Sequence, residues 1–145
     1  MSNWAVGHSA RFAAAASEHG MRDYTSMFGH GDTDRHWQDG WGMPWQNLEG
    51  YRRSSPLSAA DGLTTPLLIT AGEQDWRCPV AHAEALYATA IRRGVAAELL
   101  VYPAEHHAWQ SRPSRVRDRM ARITAWFHRF GGPADDIGAP RSPAE

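Results

Sequence analysis

Cysteine is almost absent: Cys78 stands alone in 145 residues, which excludes an internal disulfide and any metal site shared between cysteines. A lone cysteine fits a reducing compartment and reads as a small buried hydrophobe. No apolar run reaches the ~18 residues of a membrane span, and no charged segment followed by an apolar one marks a secretory leader at the start. An excess of one charge is missing too. Lys and Arg number 15 against 16 Asp and Glu, for a formal net charge of −1, with no run of like charges, so the basic footprint of a nucleic-acid binder is not there. Nor is there an internal repeat. The expectation is a cytoplasmic chain with neither nucleic acid nor a membrane as partner.

A hydrophobic content of 42% is enough for one core, and the patterned part of the chain, residues 1–131, reads as one domain. The proline-rich segment 132–145 reads as a disordered tail. Seven tryptophans are present; Trp37, Trp41, Trp45 and Trp76 cluster in the middle of the chain, either as core packing or as the wall of an aromatic pocket.

The second half has the clearer periodicity. Pro66 to Gly72 is a short apolar run bounded by Pro and Gly, the pattern of a strand buried on both faces in a parallel sheet. From Pro79 to Arg93, Val80, Ala83, Leu86, Tyr87, Ala90 and Ile91 recur at helical spacing, with Gly94 suited to the position just past the helix end. Ala96 to Tyr102 makes the next strand, and Ser114 to Phe130 the next amphipathic helix. The order β-α-β-α is that of crossover units in a parallel α/β sheet, whose sites lie where strands end. By propensity the alanine-rich first 20 residues fit a single helix; the preferred reading is a helix through about Arg11 and a strand over Phe12 to Ser17. Residues 20–64 read as short helices and loops over the sheet end.

Two strand exits carry chemistry. "GEQDWRCP" (72–79) offers Asp75, and "YPAEHHAW" (102–109) offers His106 and His107. One βα unit brings such a carboxylate and imidazole together above a sheet, where the acid fixes the tautomer of the base and stabilises its positive charge. In α/β-hydrolases the chain order is nucleophile, acid, histidine. Gly7-His8-Ser9-Ala10-Arg11 imitates the G-x-S-x-G nucleophile turn, but Arg11 replaces the final glycine and too little chain precedes it for the feeding strand. Ser9 therefore reads as a helix-surface residue. His30, Asp32, Asp34 and His36 offer metal donors without a recognised ligand spacing; they read as a solvated loop, so neither a metal nor a cofactor is expected.

The stretch "TTPLLITAGEQDWRCPVAHAEALYATAIRRGVAAELLVYPAEHHAW", followed by "ITAWFHRF", resembles the end of the catalytic domain of the prolyl oligopeptidase family, especially its acylaminoacyl-peptidase branch. That family reads G-x-x-D-x-R-V-P at the acid and Y-P-x-E-x-H at the histidine. Upstream, "MSNWAVGHSARFAAAAS" is similar to its MTNWxVGHTDRFKAAVS, and "GWGMPWQNLEGYRRSSP" to its GG-x-PWENPE-x-YxxxSP. The resemblance covers roughly residues 1 to 130. It implies a partial α/β-hydrolase fold with Asp75 as triad acid and His107 as base, His106 standing where the family has a small residue and Cys78 where it has valine. Trp37, Trp41 and Phe28 fall in the part that lies near the family's substrate side-chain pocket. The nucleophilic serine would precede Met1 by about five residues in the family pattern. On this reading Met1 is an internal methionine of a longer reading frame, or the chain is a gene fragment, without the early strands and the nucleophile turn. The implied function is serine-type hydrolysis of short peptides through an acyl-enzyme once the missing part is supplied. The alternative is an inactive fragment acting as an interaction module.

Overall fold

The computed structural model describes residues 1–108 and 112–132; the predicted tail, from residue 133 on, lies outside them. Three parallel strands, β1 (Ala15–Glu18), β2 (Leu67–Gly72) and β3 (Ala97–Tyr102), form a sheet in the order β1-β2-β3. The register pairs Ala15 with Leu67 and Leu67 with Ala97. Every residue of β2 is buried, as the unbroken apolar run requires of a central parallel strand.

Among the described residues five α-helices lie around the sheet: α1 (Ser2–His8), α2 (Asp34–Trp41), α3 (Leu48–Ser54), α4 (Val80–Arg92) and α5 (Pro113–Phe130), with a 3₁₀ turn over Pro56–Gly62. Val6 of α1 and Ala83, Leu86 and Ala90 of α4 join Leu67, Ile69 and Ala71 of β2 in one core. Leu68 and Thr70, which alternate with these along β2, are buried as well. Helix α5 packs against β2 and buries Trp126. Gly94 follows the end of α4 with φ +70°, the left-handed conformation for which glycine is favoured there.

The first 20 residues are a helix followed by a strand, with shifted boundaries. Helix α1 stops at His8 because Ser9 is extended, φ −153° and ψ 129°. Strand β1 begins only at Ala15, whose N–H donates to Pro66 O at 2.9 Å. Pairing cannot start earlier, since β2 itself begins at Leu67. None of the described helices is long and apolar enough to cross a membrane.

Candidate active site

The site is built where the three strands end. At the exit of β2, Gly72 permits a close crossing: a Cβ there would lie 2.4 Å from the carbonyl oxygen of Glu105. Two backbone bonds stitch the β2 and β3 exits together, Glu73 N–H to Tyr102 O and Gln74 N–H to Glu105 O, both at 3.0 Å. Asp75 follows, 3% exposed. Its Oδ1 accepts from the backbone N–H groups of Arg77 at 2.9 Å and Cys78 at 2.8 Å, so the turn that leaves the strand fixes the carboxylate plane.

Asp75 Oδ2 faces two imidazoles. His107 Nδ1 is 2.9 Å away and His19 Nδ1 is 3.4 Å away. Because a carboxylate only accepts, the His107 ring presents a proton on Nδ1; of the two neutral tautomers, this is the one that leaves a lone pair on Nε2, as a general base requires. Burial pushes the Asp75 carboxyl upward, but hydrogen bonds from His19, the Cys78 amide and His107 outweigh it and hold the group below its ordinary value. His106 is exposed and turns its Nδ1 to Gln74 O at 3.2 Å. The structure thus brings Asp75 together with His107 and leaves its neighbour outside.

The histidine loop is held from below. Ala104 adopts φ +54°, and its N–H donates to Glu73 Oε2 at 2.9 Å. Glu105, 1% exposed, pairs with Arg115 of α5 at 3.0 Å, and Arg115 also donates to Pro103 O. One helical turn further on, Arg119 reaches the β1 exit, 3.2 Å from Glu18 Oε2 and 3.3 Å from His19 Nε2. Sequence reasoning did not single out His19. It lies in the alanine-rich segment whose secondary structure was ambiguous, and only its place directly after a strand marked it.

Other candidates lie elsewhere. Ser9 accepts from the Arg11 N–H at 3.4 Å in the α1–β1 connection. Among the described residues no serine hydroxyl hydrogen-bonds the His107 ring. Asp32 forms a two-pronged pair with Arg77, at 3.1 and 3.0 Å, while His30 and His36 are exposed. His19, Asp75 and His107 do present donor atoms within 4.8 Å of one another. Both ring Nδ1 atoms, however, face the carboxylate, and protons there satisfy it without an ion. Cys78 is buried, and burial, helped by the Asp75 charge, pushes its thiol up to about 12, which makes it a packing residue.

Trp37 and Trp41 pack with Tyr24 at 5.0 and 5.2 Å between ring centroids, and Trp41 meets the buried Tyr51 at 5.4 Å. Phe28 instead meets the exposed Trp45. A cleft of about 730 Å³ opens on the far side of His19, lined by Ser17 to Met21, residues 1–4, Tyr24 and Arg53. His19 is the wall it shares with the Asp75–His107 pair.

This arrangement has known counterparts. The model of the prolyl oligopeptidase family matches residues 1–133. The Bacillus subtilis protein named Uncharacterized peptidase YuxL is 34% identical over 133 residues, 88% of this chain and 20% of that protein. Dipeptidyl-peptidase 5 of Porphyromonas gingivalis is 30% identical over 135 residues, again 88% of this chain and 19% of its own length. The acylaminoacyl peptidase of Pyrococcus horikoshii superposes with a TM-score of 0.80 at 25% identity, over 88% of this chain and 22% of that one. The chain therefore spans about a fifth of the length of the relatives it matches, and the described sheet and helices are part of an α/β-hydrolase.

Proposed function

Because the chain belongs to the prolyl oligopeptidase family, with residues 1–133 matched, we propose that it supplies the acid and the base of a serine-peptidase triad, Asp75 and His107. The carrying observation is the 2.9 Å contact between His107 Nδ1 and Asp75 Oδ2, on a carboxylate already held by two amides. The nucleophile is assigned to a serine outside these 145 residues on the family pattern, in which it precedes the stretch similar to Met1–Ser17; among the described residues neither Ser9 nor any other serine bonds the base. Relatives of about five times this length support that assignment.

In this reaction His107 Nε2 takes the serine proton as the oxygen attacks the scissile carbonyl, and Asp75 stabilises the imidazolium that forms. Collapse of the tetrahedral adduct breaks the C–N bond, and the same proton passes to the leaving amine. Water then repeats the sequence on the acyl-enzyme: His107 accepts its proton, the ester bond breaks, and the serine is reprotonated. The substrates are short peptides, consistent with the peptidase names of the relatives.

The test compares the 145-residue chain with the product of the same reading frame extended upstream, on aminoacyl and dipeptidyl nitroanilides. The extended protein is expected to turn over, with His107→Ala lowering kcat on the order of 10⁴-fold or more and Asp75→Asn on the order of 10⁴-fold. Turnover by the 145 residues alone, or an extended protein indifferent to His107→Ala, would refute the proposal.

A further inference from the structure

His19 is held in an unusual conformation at a telling place. Among the described residues only His19, φ +49°, and Ala104, φ +54°, are non-glycine residues in the left-handed region. Each stands just after a strand, beside the Asp75–His107 pair. Strain of this kind persists where the surroundings impose it, and it concentrates at functional sites. Here it turns the His19 ring inward, to 14% side-chain exposure, between α5 and Asp75.

The partners fix the ring's tautomer. Arg119 Nη1 lies 3.3 Å from His19 Nε2. A guanidinium has donors only, so Nε2 must present a lone pair. The neutral ring then carries its proton on Nδ1, the atom that faces Asp75 Oδ2. His107 Nδ1–H points at that same oxygen, and the two rings lie 4.9 Å apart between centroids, tilted by 55°.

We infer that His19 is a positioning residue for the triad: anchored by Arg119, it donates through Nδ1 to Asp75 Oδ2 and sets both the orientation of the carboxylate and the share of its charge that His107 receives. The inference rests on the acid and base assignment above. The groups around the rings are Glu18 on β1, Arg77 and Cys78 on the turn after β2, His106 beside the base, and Arg119 on α5. Arg119 is tied to Glu18 and Arg77 to Asp32, and neither ion pair is removed by substituting His19.

The test uses His19→Leu and His19→Asn in the protein that hydrolyses the nitroanilide. Asn tolerates a positive φ, and its amide nitrogen takes the place of Nδ1. Loss of the donor in His19→Leu is expected to lower kcat roughly tenfold, as removal of groups that orient reactive residues commonly does, with KM within about twofold. It is also expected to move the acidic limb of kcat/KM to higher pH, because His107 then receives more of the carboxylate charge. His19→Asn should restore both. A wild-type pH profile in His19→Leu, or an Asn variant as impaired as Leu, would overturn the inference. Nitrogen-15 spectra of the histidine rings add a readout independent of turnover: a proton on His19 Nδ1 is expected, and a neutral ring protonated on Nε2 would sink the idea. Full activity of His107→Ala would instead remove the triad assignment, whatever tautomer His19 shows.

Discussion

Replacing Gly72 by alanine adds one methyl group to the spot where two strand exits cross. Built on the present backbone, that Cβ lies 2.4 Å from Glu105 O, 2.9 Å from Glu105 C and 3.3 Å from His106 O. Carbon packs comfortably at about 3.5–4.0 Å, so the loop must retreat by about 1 Å. The atoms in the way are backbone, and Glu105 O is the acceptor for Gln74 N–H, so no side chain can rotate aside to relieve the clash. The loop is also held by the buried Glu105–Arg115 pair, which passes the displacement on to His107. A shift of ~1 Å in a reacting group can cost on the order of 10²-fold in rate, and overpacking of this kind costs about 1–3 kcal/mol of stability. Steady-state kinetics of Gly72→Ala, run where denaturant titration shows the variant still folded, should give a kcat/KM lowered about 10- to 100-fold. A folded Gly72→Ala enzyme with unchanged kcat/KM would refute the account of why the loop sits where it does.

Three further outcomes follow from other parts of the molecule. Arg115→Met leaves the Glu105 carboxylate buried without its guanidinium partner and is expected to destabilise the fold by about 3 kcal/mol, measured by urea denaturation; a loss within error would show that the ion pair does not hold the loop. Cys78, buried with its thiol at about 12, should resist iodoacetamide at pH 8 in the native protein and react after unfolding; fast native labelling would contradict that burial. Burial pulls His82 below its ordinary value of 6.5, so the unfolded chain binds that proton more readily. The corresponding stability is complete above about pH 6.5 and is lost as pH falls through the lowered folded value. Melting temperatures recorded against pH should therefore decline less across that window in His82→Gln than in the parent.

Legibility in the sequence followed the kind of physics involved. β2 and α4 were readable because burial on both faces and a 3.6-residue stripe leave direct marks on residue order. The meeting of Asp75 with one of the two adjacent histidines was readable because a single βα unit separates them and both follow apolar runs; that spacing left His106 and His107 equal, and only the family resemblance favoured His107, the ring that lies 2.9 Å from the carboxylate. The limits of α1 and β1 were not, since alanine fits either conformation locally and the pairing partner at Leu67 decides where a strand begins. His19 was hidden for the same reason. Its role depends on Arg119, 100 positions away, and on a backbone twist that no short stretch of sequence encodes. The aromatic residues 28–51 were recognisable as a group, but which rings would meet was a matter of three-dimensional packing.

Helix α5 uses two arginines on one face to hold two separate strand ends: Arg115 takes the loop after β3, and Arg119 takes the residues after β1. Both grips come from the last helix of the described chain. Since a protein emerges from the ribosome with its N-terminal end first and folds progressively, the β1 exit and the acid turn are made well before the arginines that hold the site's two flanks. A site held in that way takes its final shape only once α5 has been made, so the strand ends around Asp75 wait for a segment that follows them in the chain.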